Sequence, residues 1–471
     1  MASTTTLTLI DGVRIVVPDS LHLITPYVLQ EQQDWFEDEI KFLRRLLRAG
    51  DQVIDIGANY GVYTLSMAKT VGPGGRVWAF EPASGTARLL AASLAANDFA
   101  HVLLEPSALS SETGTAQLSL HENSELNSLL HDQAGATASE TVALVTLDQR
   151  LQSCGWRDIA FMKIDAEGEE AKILQGGARF FAELSPLVQY EVKAGAALHL
   201  ELVRQFAALG YASYRLVPGL DMLVPFDAGA TPDGYLLNLF CCKPDRAEQL
   251  AKQGFLLEAS AGLRAAATDL TQTAKNTQAY GWQQTLAPLP YGVQLAEVWR
   301  QTMVAKSKAK LDTALRLYAL SRDACQPAAA RFNALETSFN LLQRLCKGQA
   351  SGLRLASLAR VATDYGARTL AVAALQQLGQ TILSDKQVAV HEPFLAPLAR
   401  FDAVAPGDAL RTWVLAAVME QIETLIAFSS FYSGHGARAR VHYIVSLGFA
   451  GAEMARRLSL LQQRFEPLTA A

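Results

Sequence analysis

Gln52-Val53-Ile54-Asp55-Ile56-Gly57-Ala58-Asn59-Tyr60-Gly61 decides the fold. Gln52 to Ile56 read as a buried strand, the two glycines as a tight turn, and Tyr63 to Lys69 as the start of the helix behind it. Glycine at such a turn lets backbone approach a ligand closely, and the first amides of the helix can face a carboxylate or phosphate. The spacing here is Gly-x-x-x-Gly. A dinucleotide site favours Gly-x-Gly-x-x-Gly, so an NAD-linked oxidoreductase is a disfavoured alternative.

On either side of this unit, strands alternate with helices. Leu7 to Pro18, interrupted by Asp11-Gly12, predicts a small hairpin, and Trp35 to Ala49 a helix ending at Gly50. Arg76 to Phe80 is the next strand, Ala83 to Ala96 a helix, and Val102-Leu103-Leu104 begins a third strand. Between Ala116 and Val145 the rhythm breaks, with Gln117 to Leu120 and Val142 to Val145 as strands of an inserted hairpin. It resumes with a strand over Ile159 to Ile164, a helix over Glu169 to Phe181, a strand over Leu187 to Glu191, a helix over Leu198 to Leu209 and a closing strand from Tyr235 to Cys242. Such alternation predicts a doubly wound, mainly parallel sheet covered on both faces.

After about Ala261 strand signals cease. Leu311 to Arg322, Ala328 to Leu345, Ser351 to Ala362, Thr369 to Ile382 and Ala409 to Phe428 all read as amphipathic helices, in either a bundle or a helical repeat. With 471 residues the chain exceeds what one core usually serves. The expected division is 1–34 as a lead-in hairpin, 35–250 as an α/β domain and 251–471 as an all-α domain.

The formal charge of −5 gives no footprint for a nucleic-acid backbone, so nucleic acid is not an expected partner. Cys154, Cys241, Cys242, Cys325 and Cys346 form no metal or redox spacing and read as free thiols. No leader pattern opens the chain and no run of about 18 apolar residues occurs. The expectation is a cytoplasmic protein without membrane insertion.

Glu81 ends the second strand, at the crevice of a doubly wound sheet, where a carboxylate can accept both hydroxyls of a ribose. A strand-end acid is often only a helix cap, but with the glycine turn before it the pair favours a nucleoside cofactor. Asp165 ends the fourth core strand on the same side, where an ionised group costs free energy unless paired or used. Glu169 and Glu170 fall in the first turn of a helix, where the macrodipole alone accounts for them.

At this point a resemblance becomes specific. Asp55-Ile56-Gly57-Ala58-Asn59-Tyr60-Gly61, Phe80-Glu81-Pro82, Ala108-Leu109-Ser110 with Gly114, Thr146-Leu147-Asp148 and Lys163-Ile164-Asp165-Ala166-Glu167-Gly168 stand in the order seen in the FkbM family of S-adenosylmethionine (SAM)-dependent methyltransferases. The resemblance spans roughly residues 35 to 245; Ala166 replaces the usual Val. The tail is similar only to helical extensions on bacterial proteins that act on sugars and polysaccharides.

The resemblance implies a class I methyltransferase (Rossmann-like) fold with an inserted β-hairpin, followed by the all-α domain. It implies SAM as cofactor, with Gly57, Ala58, Asn59 and Gly61 holding its methionine portion, Glu81 the ribose, Ser107 and Ala108 bordering the adenine, and Tyr60 and Pro82 as further cofactor-binding residues. Asp55 would orient the turn or meet the amino group, and Thr64 the carboxylate.

Asp165 and Glu191 are the leading general-base candidates for a hydroxyl acceptor, with Glu37 and Glu167 shaping the acceptor side. Trp35 and Phe36 could form its wall, although packing on the sheet explains them equally well. His121, His131 and His199 are weaker candidates, and Asn123, Asn127 and Ser128 are polar loop residues able to meet a sugar. A divalent metal could replace the base, with Asp165 and Glu191 as oxygen ligands and no third ligand evident from spacing. An Asn/Asp-Pro-Pro-Tyr motif for planar nitrogens is missing after the fourth strand, and no Cys stands there to attack a pyrimidine, which favours O-methylation.

The expected acceptor is a hydroxyl of a sugar, glycan or glycosylated metabolite, a preference that rests on the resemblance alone. The helical domain would recruit the acceptor, a glycan-synthesis partner or a second copy. The competing reading is a non-catalytic methyltransferase-like scaffold in a glycan-synthesis complex.

Overall fold

The computed structural model describes residues 3–127, 129, 138–194, 197–198, 200–258, 278–304, 308–347, 352–385, 388–434 and 436–465. Ser128, His131, His199 and Ser351 lie outside the described residues. The chain forms two compact units: Met1–Leu216 with Leu223–Pro232 and Leu236–Gln253, and Val217–Met222 with Asp233–Tyr235 and Gly254–Ala471.

The first unit opens with β1 (Thr4–Thr8) and β2 (Arg14–Pro18), an antiparallel pair closed through Asp11-Gly12. Two helices follow, α1 (Ile24–Gln32) and α2 (Asp38–Leu46). The expected helix from Trp35 to Ala49 is therefore shorter at both ends, with Glu37 extended at its N-cap and Leu47 extended after it. The α1 helix is not foreseen, because Ile24 to Leu29 are all buried and leave no polar face to set a period.

The core is a doubly wound sheet. Its strands are β3 (Gln52–Ile56), β4 (Arg76–Phe80) and β5 (Val102–Glu105), joined through α3 (Val62–Val71) and α4 (Ser84–Ala96). An insert then forms its own sheet from β6 (Ser107–Leu109), β7 (Gly114–Leu120) and β8 (Ala138–Val145), in the order β6-β8-β7. The main sheet resumes through α5 (Leu147–Cys154) with β9 (Phe161–Ile164), then α6 (Glu170–Gln175), α7 (Ala178–Glu183) and β10 (Leu187–Glu191). After a small pair, β11 (Lys193–Ala194) and β12 (Ala197–Leu198), come α8 (Glu201–Ala208), β13 (Ala212–Val217), β14 (Met222–Pro225), β15 (Asn238–Cys242) and α9 (Pro244–Lys252).

The sheet order is β14-β13-β15-β10-β9-β3-β4-β5. From β10 to β5 all neighbours run parallel, and β15 is antiparallel to both β10 and β13. The order reverses at β3 and β9, so the crevice at their carboxyl ends is where such a sheet takes a ligand. Both faces are packed: Trp78, Trp156, Phe180 and Phe181 meet edge to face on one side, and Phe42 packs on Phe240 on the other.

The helix expected over Glu169 to Phe181 is two helices broken at Gly176-Gly177. A Cβ on Gly176 would lie 2.1 Å from the Ser110 carbonyl oxygen, so the insert's backbone occupies the place where a side chain would be. Asp148 then accepts from the amides of Arg179 and Phe180 and starts the second helix.

The second unit is helical in its described residues, apart from the short segments it borrows near β13 to β15. Its helices are α10 (Trp282–Thr285), α11 (Pro290–Thr302), α12 (Ala309–Arg322), α13 (Ala328–Lys347), α14 (Gly352–Tyr365), α15 (Arg368–Ser384), α16 (Leu410–Ile426), α17 (Gly436–Ser446) and α18 (Ala452–Phe465). From α12 to α18 each packs chiefly on its neighbours in the chain, which is how stacked helical hairpins bury their faces. An aromatic cluster anchors the unit: Tyr291 lies 5.2 Å from Phe394 and 5.1 Å from Trp413, centroid to centroid. The indoles of Trp299 and Trp413 donate to the carbonyls of Val390 and Val404, so their polar atoms are satisfied. No described helix is long and apolar enough to cross a membrane.

Candidate active site

The turn after β3 is fixed by its own protein contacts. The amides of Gly57 and Ala58 both donate to the carbonyl of Phe80, at 3.0 Å each, which ties the turn to the end of β4. Gly57 has φ +77°, and a Cβ there would lie 1.8 Å from the carbonyl oxygen of Asp165. Gly61 has φ +95°, and its Cβ would lie 2.3 Å from Leu90 on α4. The two glycines are thus required by neighbouring protein atoms before any ligand is considered. Gly57 lines the cleft, whereas Gly61 and Thr64, also expected at the cofactor, are not among its lining residues.

Asn59 also takes a left-handed conformation, φ +48°. Its Oδ1 accepts from its neighbour's amide, that of Tyr60, and from Ser124 Oγ, each at 2.8 Å, so the tip of the insert sits against the turn. Asp55 is fully buried; its Oδ2 accepts from Thr64 Oγ1 at 2.5 Å and its Oδ1 has no partner among the described atoms.

Glu81 stands beside this turn. Its Oε2 accepts from the Asn59 amide at 2.8 Å and its Oε1 from the Ala83 amide at 2.9 Å, which aims both oxygens and leaves one lone pair on each. Burial pushes its pKa up to about 7, against the lowering effect of those two amides. Pro82, Ser107 and Ala108 line the same cleft, and Ser107 Oγ is buried without a partner. The cleft encloses about 1030 Å³, part of it open solvent, and runs from Ser107 and Ala108 past Glu81 and the turn to Asp165 and Glu167.

The far end is acidic. Asp165, Glu167 and Glu191 each place a carboxylate oxygen within 4.8 Å of the others. Glu167, held at φ +47° just beyond β9, supplies the third member that spacing did not reveal. Burial and then the charge of Asp165 push Glu191 up to about 9 and Glu167 to about 8. Asp165 instead has a cation, with Lys163 Nζ 2.7 Å from its Oδ2. Glu37, at the start of α2, also lines the cleft and is held by Tyr63 Oη and, at 3.2 Å, by Asn238 Nδ2. Trp35 lines the cleft as well.

The remaining acids of this stretch have structural partners. Glu170 Oε1 accepts from the amides of Ala166 and Gly168, and Glu169 is buried against Ser110 and Lys172. Thr25 and Glu125 line the cleft and bond to each other, with Thr25 donating through its amide at 3.2 Å and through Oγ1. Asn123 accepts from the Ile24 amide, and Asn127 from that of His121. Lys163, Tyr63, Gln189 and Asn238 were not expected as site residues; Lys163 stood in the Lys163 to Gly168 block, Gln189 and Asn238 are polar residues in otherwise apolar strands, and Tyr63 on its helix gave no signal.

A sheet that runs, in chain order from its β5 edge, third, second, first, fourth, fifth, eighth, sixth, seventh, with the eighth antiparallel to both its neighbours and a glycine turn and an acid at the first two strand ends, defines a class I SAM-dependent methyltransferase fold. Residues 55–213 match the family described as the Methyltransferase FkbM domain. Among solved structures, an FkbM methyltransferase from Methylobacillus flagellatus KT is similar at 17% identity over 42% of this chain and 45% of that one, TM-score 0.29. An rRNA methylase from Streptococcus thermophilus matches at 11% identity over 44% and 93%, TM-score 0.26. A SAM-dependent O-methyltransferase from Thermotoga maritima matches at 13% over 51% and 77%, TM-score 0.25. No curated protein matches the chain.

SAM is accordingly the cofactor, and the cleft fits it. The unsatisfied Asp55 Oδ1 and Ser107 Oγ, together with the spare lone pairs of Glu81, offer acceptors for an ammonium and for hydroxyls, and the acidic end suits a sulfonium. When bound, SAM supplies an electrophilic methyl group.

Proposed function

We propose that the first unit transfers a methyl group to a hydroxyl of a sugar, glycan or glycosylated metabolite. The observation that carries the reading is the convergence of Asp165, Glu167 and Glu191, the first two of which line one end of the cofactor cleft. A hydroxyl must be aligned and must lose its proton as the new O–C bond forms. Asp165 Oδ2 is engaged by Lys163, so Oδ1 is the atom that takes the proton. Glu191 and Glu167, raised to about 9 and about 8, hold their own protons at neutral pH and serve as donors to the acceptor's other oxygens. This divides roles between Asp165 and Glu191, which the sequence left as equivalent base candidates. Glu37, braced by Tyr63 and Asn238, shapes the acceptor side.

The same three carboxylates support a second reading, a divalent cation that lowers the acceptor's pKa. Full activity of the purified protein in excess chelator would sink the metal reading and leave Asp165 as the base.

The helical unit, in this reading, recruits the acceptor, a glycan-synthesis partner or a second copy. The decisive experiment is to incubate the protein with methyl-labelled SAM and surface-glycan precursors from its host, then locate the methylated atom. Label on a sugar oxygen is the expected result; label on nitrogen, carbon or nucleic acid overturns the acceptor assignment.

A further inference from the structure

Beyond engaging Asp165 Oδ2, Lys163 has no part in the chemistry above, yet it occupies the centre of the sheet. It stands on β9 between β3 and β10, in register with Asp55 on one side and Gln189 on the other. Register partners in a parallel sheet point to the same face, so the three side chains form a polar row across strands that are otherwise apolar. Asp55 and Gln189 are fully buried and Lys163 is 5% exposed.

The row is roofed by α3. Thr64 donates to Asp55, Gln189 Nε2 donates to Tyr63 Oη at 3.2 Å, and the Lys163 ammonium lies 4.9 Å from the centre of the Tyr63 ring. Lys163 lines the cleft, with Asp165 Oδ2 at 2.7 Å. Burial lowers the ammonium's pKa, but the charges of Asp165, Asp55 and Glu37 outweigh it and leave the group above its ordinary value.

A buried cation is a costly way to fill this space, since an apolar side chain of similar volume often serves stability as well or better. Its position suggests what it does instead. In methyl transfer the S–CH3 bond breaks with its electron pair left on sulfur, the O–CH3 bond forms, and the acceptor proton goes to a carboxylate. The sulfonium charge is lost along the way. A cleft lined by Asp55, Asp165 and Glu37 without a counter-charge would hold the starting cation more tightly than the transition state, which is binding that slows the reaction.

We propose that Lys163 is a positioning residue that fixes Asp165 by one oxygen and balances the carboxylates around the methyl group, so that the cleft does not over-bind the sulfonium. The inference rests on the methyl-transfer reading, and its test needs no acceptor. The intact chain is titrated calorimetrically with SAM and, separately, with its neutral demethylated product, at one salt concentration. In Lys163→Met the ratio of SAM affinity to product affinity rises by about tenfold, the scale of one unit charge acting at short range in a protein cleft. In Asp165→Asn it falls by a similar factor. Lys163→Arg keeps the charge and stays within about twofold of wild type.

An unchanged ratio in folded Lys163→Met overturns the proposal, because a purely structural lysine would change both affinities together. If that variant does not fold, Asp165→Asn carries the test, and a ratio that does not fall there overturns it equally. A folded wild type that binds neither ligand overturns the methyl-transfer reading itself, and this inference with it.

Discussion

Glu81 is the side chain whose charge the cofactor cleft depends on. Raised by burial to about 7, it is mostly protonated at pH 6 and mostly ionised at pH 8. Hydroxyl donors prefer the ionised form, so SAM affinity should rise roughly tenfold across that interval and then level off. Isothermal titration at several pH values checks this, with Glu81→Gln expected to bind more weakly and to flatten the profile. The sign reverses for the ligand-free fold. Its folded pKa lies above the ordinary 4.5, so this group's contribution to stability is present below that value and is lost as the pH rises through about 7.

Gly57 is a test of geometry. Gly57→Ala combines a positive φ with a Cβ 1.8 Å from a backbone oxygen, and should destabilise the first unit by at least about 3 kcal/mol, measured by denaturant unfolding. A loss below about 1 kcal/mol would show that the strand ends can move apart. At this scale the sequence revealed Asp55, the glycines, Glu81 and Asp165, because each stands at a strand end where chemistry has few alternatives. Lys163, although in the same block as Asp165, showed no role until inter-strand register set it between Asp55 and Gln189, and Tyr63, Gln189 and Asn238 stayed hidden because their partners are distant in the chain.

Among the elements, the tip of the insert and the start of α1 form a latch beside the cofactor turn. Asn123 and Glu125 accept the amides of Ile24 and Thr25, a side-chain cap supplied from about a hundred residues away, while Ser124 reaches Asn59. Removing such a cap typically costs about 1 kcal/mol. Glu125→Ala should therefore speed amide exchange in residues 24–32 several-fold and weaken SAM binding. Unchanged exchange there would mean the latch holds nothing.

The doubly wound order was legible, since apolar strands alternate with helices from Gln52 to Glu191. The α1 helix was not, because it is buried nearly all round, nor was the break at Gly176-Gly177, which exists to admit the backbone at Ser110. The strands β13 and β14 also escaped notice. Only Pro218 to Asp221 separates them, and that tight turn hid the pair.

For the molecule as a whole, the chemistry resides in the first unit. Hydrogen exchange on the intact chain should show SAM protecting residues 55–64, 81–83 and 107–108, with no protection appearing in the helices between 282 and 465. Protection in those helices would place cofactor binding, or its coupling, outside the α/β unit. The helical unit was legible as helices from its Ala- and Leu-rich periodicity. The choice between a bundle and stacked pairs of chain neighbours stayed open, because no repeated motif marks the turns. Ion pairs that tie it together, such as Arg354 with Glu392 and Arg457 with Glu423, join residues whose proximity only the fold creates.

The most direct test of the central claim is a calorimetric titration of the intact wild-type chain with SAM, run beside Glu81→Ala. The account predicts one binding site per chain in the wild type and an affinity at least about tenfold weaker in the variant. No measurable binding to a folded wild-type protein, or an affinity indifferent to Glu81, would contradict it.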